Sequence, residues 1–116
     1  MNSFTIYHNP RCSKSRQTLQ LLEEKGIEPE IVLYLEQTPS VETLADLVNK
    51  LGIGVRDLMR TGEDAYKANN LADQGLSDQQ LLKAMVENPK LIERPIVVSG
   101  DKAVLGRPPE NVLELI

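Results

Sequence analysis

Apolar and polar positions along the chain fall into three successive patterns. Phe4 to His8 alternates and carries β-formers, which predicts a strand that Asn9-Pro10 breaks. A helix is predicted from about Ser13 to Lys25, with Leu19 and Leu22 on one face and Gly26 where a helix commonly stops. Glu30 to Tyr34 reads as a second strand. Strand, helix and strand within so short a span form a βαβ unit, which favours parallel strands and a right-handed crossover.

The middle of the chain has helical periodicity. Ser40, after Pro39, is placed to cap a helix in which Val41, Leu44, Leu47, Val48 and Leu51 recur at helical spacing. A short helical turn is predicted around Val55 to Met59. Thr61 to Gly75 is polar and irregular apart from a turn near Ala65. Ser77-Asp-Gln-Gln80 is a capping box that opens a helix through Leu81, Ala84 and Met85, ending at Asn88-Pro89. The last third returns to strands, Pro95 to Val98 and Ala103 to Gly106, joined by Ser-Gly-Asp-Lys as a hairpin. Pro108 and Pro109 then start a final short helix. The order is βαβ, a helical insertion, then ββα, which predicts an α/β fold with a mixed sheet in a single domain over residues 1–116.

Composition narrows what such a fold can do. Net charge is −4 and Trp is absent, which argues against nucleic-acid binding by phosphate contact or base stacking. No apolar run approaches a membrane span, and the N-terminus lacks the order of a signal peptide. One Cys and one His fall short of a structural zinc site, and one Cys excludes an internal disulfide, so a cytoplasmic protein without a metal is expected. Met1 to Leu22 holds no acidic residue, whereas Arg11, Lys14 and Arg16 cluster there with His8 nearby. A basic island in an acidic chain points to one local anion site.

Cys12 stands in the middle of that island, between the end of a strand and the start of a helix. The first-turn N–H groups of a helix carry positive partial charge, favour thiolate over thiol, and can hold a tetrahedral anion. Ser15 occupies the place of the second cysteine in a dithiol motif, so an oxidised Cys12 needs a thiol from outside the protein. If Val98 pairs with Ala103, the same register sets Arg94 opposite Arg107. Either an anion lies between these two forked cations, or they point apart or pair with acids such as Glu93 or Glu110. Arg60, after Leu58-Met59, is explained by the helix dipole alone. His8 assists a thiolate only if its side chain turns toward the loop, and an alternating strand leaves either direction open. Lys14 and Arg16 solvate the helix and fall outside the catalytic set.

Tyr7-His8-Asn9-Pro10-x-Cys12-x-x-Ser15-Arg16, with Arg94-Pro95-Ile96-Val97-Val98 and Gly106-Arg107-Pro108, closely resembles the glutaredoxin-coupled arsenate reductase family. Gly52-Ile53 and Val55-Arg56-x-Leu58-x-Arg60 match a further segment of it. The resemblance implies a thioredoxin-like fold with a helical insertion and reduction of arsenate to arsenite in the cytoplasm. It makes Cys12 the nucleophile, His8 a residue that helps lower the thiol pKa, and Arg60, Arg94 and Arg107 the oxyanion ligands. Pro95 matches the cis-proline beside the active site. Glutathione is the implied co-substrate and glutaredoxin the implied partner, with no tightly bound cofactor, metal, nucleic acid or membrane. Arg11 and Lys14 depart from the plasmid-borne enzymes, as does the short segment after Arg107, so the chain looks like a chromosomal relative. Two rivals stand beside this reading. One is a glutathione-dependent thiol transferase with another substrate; the other is a thioredoxin-like binding or regulatory protein, which requires an unreactive Cys12.

Overall fold

β1 (Phe4–Tyr7) forms the second strand of a four-stranded sheet in the computed structural model, which describes residues 3–116. Its parallel neighbour is β2 (Glu30–Val32), with Ile6 opposite Ile31, and α1 (Ser13–Glu24) connects the two. On its other side β1 pairs antiparallel with β3 (Ile96–Ser99), which turns through Gly100-Asp101 into β4 (Lys102–Leu105). Gly100 adopts φ 60°, the left-handed region a two-residue hairpin turn requires. The order β2-β1-β3-β4, with one parallel and two antiparallel pairings, is the mixed sheet of a thioredoxin-like fold.

The chain divides into two compact units. One comprises the segment up to Gln37 together with Arg94–Ile116; the other is Thr38–Glu93. In the first, Ile6, Leu22, Val97 and Val112 are fully buried together, with Phe4, Leu19, Ile27 and Val104 packed around them. Val112 comes from a 3-10 helix (Pro109–Leu115) that packs on α1 and β4. The inward face of α1 begins polar, because Ser15 and Thr18 are as buried as Leu22. The Thr18 hydroxyl donates to Lys14 O at 2.8 Å, with Gly106 O also in reach at 3.3 Å.

That approach explains Gly106. A Cβ there would lie 2.5 Å from Thr18 Oγ1 and 2.7 Å from Pro95 Cγ, closer than side-chain carbons tolerate. The Gly106→Ala variant is expected to lose about 1–3 kcal/mol of stability, read as a lower midpoint in urea unfolding.

The second unit is helical, as its periodicity predicts. Ser40 Oγ accepts from Thr43 N to open α2 (Val41–Leu51), and Gly52 closes it at φ 70°. A 3-10 turn (Val55–Leu58) and α3 (Asp64–Ala68) follow. Ser77 and Gln80 exchange both bonds of the capping box at α4 (Asp78–Glu87), which packs on α2. Leu44, Leu58, Met85 and Leu91 are the buried centre of this unit.

β1 stops at Tyr7, β3 runs one residue later and β4 one residue earlier than the pattern predicts, and two differences go further. β2 stops at Val32, because Leu33 O is taken by Glu36 N and Gln37 N in a tight turn, and its partner strand ends before Asn9-Pro10. The final helix is a 3-10 helix throughout.

Candidate active site

Cys12 caps α1: its φ and ψ are extended, and its carbonyl accepts from Arg16 N at 3.0 Å. The preceding loop is tied at several points. Cys12 N donates to Asn9 O, Arg11 N to Asn9 Oδ1, and Arg16 Nη1 to Pro10 O, all between 2.9 and 3.0 Å. The sulfur, partly exposed, therefore has a set position at the helix start.

Burial is the largest influence on the Cys12 thiol and on its own raises the pKa. It is outweighed by the Ser15 N–H, by the hydrogen bond and charge of the Arg94 guanidinium, and by the Lys14 N–H, so the pKa falls below the ordinary thiol value. The first turn of α1 contains no acidic residue to oppose this. For Arg94, burial disfavours the cation, but hydrogen bonds and charge from Cys12 and Tyr34 more than compensate. Tyr34 is 1% exposed. It and Cys12 both act on the guanidinium. The residue pattern places Tyr34 only at the end of a strand and holds no signal of its contact with Arg94.

The predicted register between β3 and β4 is present, with Val98 opposite Ala103 and Ile96 opposite Leu105. Gly106 N continues it by donating to Pro95 O, which carries Arg94 and Arg107 to the sheet end beside one another. Arg107 is exposed, and its Nη1 donates to Arg94 O at 3.2 Å. The two guanidinium groups thus have different partners. The Arg94-Pro95 peptide is cis, and so is Arg107-Pro108.

His8 is 6% exposed, and its Nδ1 lies 2.6 Å from Ser15 Oγ. Ser15 Oγ also accepts from Asn9 N at 3.0 Å. Burial, and then the charge of Arg16, lower the His8 pKa, so the ring is neutral at physiological pH. Ser15 Oγ thus takes the Asn9 N–H and shares a hydrogen bond with Nδ1 whose direction follows the imidazole tautomer. His8 thereby braces the residue whose N–H favours the thiolate, and contributes no positive charge of its own.

Arg60 belongs to the other unit. Its N donates to Leu91 O, and Nη1 forms a 3.0 Å ion pair with Glu93, each side chain about one quarter exposed. Its Nε is buried without a hydrogen-bond partner among the described residues. Glu93, weighed above as a partner for Arg94, is thus engaged with Arg60. Among the described residues, no three His, Cys, Asp or Glu side chains come together as a metal site, and no helix is long and apolar enough to cross a membrane. A hollow of about 450 Å³ lined by Phe4, Gly26 and Glu28 lies at the other end of β1, away from the cysteine loop.

A thiol at the start of α1, on a mixed sheet with a cis-proline loop, places the chain in the thioredoxin-like class. Residues 7–115 match the ArsC family, and the chain belongs to that family. It is similar to uncharacterized protein YfgD of Escherichia coli K12, 62% identical over 112 residues that cover 96% of this chain and 94% of that one. It is also similar to an arsenate reductase of Haemophilus influenzae, 56% identical over 98% of this chain and 99% of its relative. A solved arsenate reductase from Vibrio cholerae superposes with a TM-score of 0.97 at 57% identity, covering 99% and 98% of the two chains.

Proposed function

We propose that this protein is a single-domain cytoplasmic enzyme that reduces arsenate to arsenite, with Cys12 as nucleophile, glutathione as reductant and glutaredoxin as its recycling partner. The observation that carries this reading is the bonding of Cys12 to Arg94: a thiolate-favouring cysteine at the start of a helix, held against a half-buried cation. The relatives named arsenate reductase supply the substrate. No metal or tightly bound cofactor enters the scheme.

In the first step the Cys12 thiolate attacks arsenic(V). An As–O bond breaks, the oxygen leaves as water after taking up protons, and a sulfur–arsenic bond replaces it. Arg94 and Arg107 neutralise the oxyanion, and Arg60 takes the third position by its match to the family. The sulfur of glutathione then attacks the Cys12 sulfur. The S–As electron pair departs with arsenic, which becomes trivalent, while Cys12 and glutathione are oxidised to a mixed disulfide. Glutaredoxin attacks the glutathione sulfur and returns Cys12 as thiolate, a step that Ser15 cannot perform. His8 acts through Ser15 as a positioning residue.

The test is NADPH-coupled turnover with glutathione, glutathione reductase and glutaredoxin. Arsenate-dependent NADPH oxidation that requires all three is expected. A folded protein that reduces glutathione mixed disulfides yet leaves arsenate untouched would make it a thiol transferase instead.

A further inference from the structure

Arg11 has no part in the chemistry above, yet it lines a groove together with other residues of the cysteine loop. The groove has a volume of about 310 Å³ and lies between two braced turns. One wall is Asn9-Pro10-Arg11, held by the bonds from Arg11 N, Cys12 N and Arg16 Nη1 already described. The other is the turn from Leu33, where Leu33 O accepts from Glu36 N at 2.9 Å and from Gln37 N at 2.7 Å. His8 N donates to Val32 O at 2.8 Å and ties the walls together at the base. Because both walls are hydrogen-bonded turns, the groove exists before any ligand arrives.

Its lining has a definite chemistry. Pro10, Leu33 and Leu35 make it mainly apolar, and Leu35 is an exposed large hydrophobic residue at 36%. Arg11 and Glu36, both exposed, put one positive and one negative charge on it. Arg11 directly precedes Cys12, and Tyr34, between Leu33 and Leu35, is bonded to the Arg94 that touches the sulfur. Each wall therefore adjoins, along the chain, a residue of the cysteine site: Cys12 after Arg11, and Tyr34 between Leu33 and Leu35.

We infer that this groove is the binding site for glutathione, with Arg11 on the α-carboxylate and Glu36 on the α-ammonium of the γ-glutamyl group. The inference rests on the reductase reading and deepens it. Glutathione carries that zwitterion at one end and its thiol one residue away. An apolar channel with a matched pair of opposite charges complements such a ligand better than it does arsenate, which offers only negative oxygens. Volume agrees as well, since a groove of this size fits a small organic ligand.

The test separates the groove from the reaction. Titrating ¹⁵N-labelled protein with S-methylglutathione, which lacks a free thiol, is expected to shift the amides of Arg11, Leu33, Leu35 and Glu36. Arg11→Glu and Glu36→Lys should each weaken that binding and raise the glutathione KM about three- to tenfold, as loss of one partly exposed charge contact does. The rise should be confined to glutathione and vanish when dithiothreitol is the reductant. Shifts clustered elsewhere, or variants with an unaltered glutathione KM, would overturn the site. Amide shifts in the groove without arsenate turnover would instead leave the site standing and refute the reductase reading.

Discussion

Cys12→Ser is expected to abolish glutathione-dependent arsenate reduction, by roughly four orders of magnitude or more, while leaving the fold intact. Loss of a covalent nucleophile removes the whole pathway and not one increment of it, which is why such variants fall nearly to the uncatalysed level. Serine matches the size of cysteine and is a favoured residue at a helix N-cap, so α1 should keep its start. The hydroxyl does not ionise near neutral pH, however, and cannot form the mixed disulfide that remains once two electrons have passed to arsenic. Circular dichroism and urea unfolding should match wild type, and intact-mass analysis should show no glutathione on the variant. Retained turnover would remove Cys12 from the mechanism.

The second large effect belongs to Arg94. Arg94→Gln is expected to lower kcat/KM for arsenate by about 10²–10³, the usual loss when a preorganised donor to a developing charge is deleted. It should also raise the Cys12 pKa, because the guanidinium bond and charge are among the influences that overcome burial. The sign follows from which form the cation favours. Arg94 stabilises the thiolate, so in wild type the reactive form persists to lower pH, and reactivity falls only as pH drops through the lowered pKa. Without Arg94 the midpoint of iodoacetamide alkylation should move upward, toward or beyond the value of a free thiol. A variant with the wild-type midpoint would mean that the helix N–H groups of Ser15 and Lys14 set the pKa alone.

Much of the fold follows from local rules. The capping residues Ser40 and Ser77, and the stop signal at Gly26, act within a turn of themselves, and all stand where the sequence pattern puts them. The pairing of Val98 with Ala103 follows from a two-residue turn, and the neighbouring placement of Arg94 and Arg107 follows from that register. Contacts made across the chain were not legible. Tyr34 reads as one more strand residue until Arg94, far along the sequence, meets it. The inward direction of Ser15 and Thr18 contradicts their polarity; it depends on His8, Gly106 and Lys14 supplying partners for their hydroxyls. The direction of His8 was undecidable from an alternating strand, and Ser15 decides it. The ion pair between Arg60 and Glu93 likewise needs the bridge between Met59 and Ile92 to bring the two segments together.

The central claim is that one cysteine passes two electrons between glutathione and arsenic. It is tested most directly by a single turnover without glutaredoxin, following arsenite release and the intact mass of the protein together. The account predicts one arsenite per chain and one glutathione joined to Cys12, removable by glutaredoxin. Arsenite formed without that adduct, or an adduct formed equally well in the absence of arsenate, would contradict it.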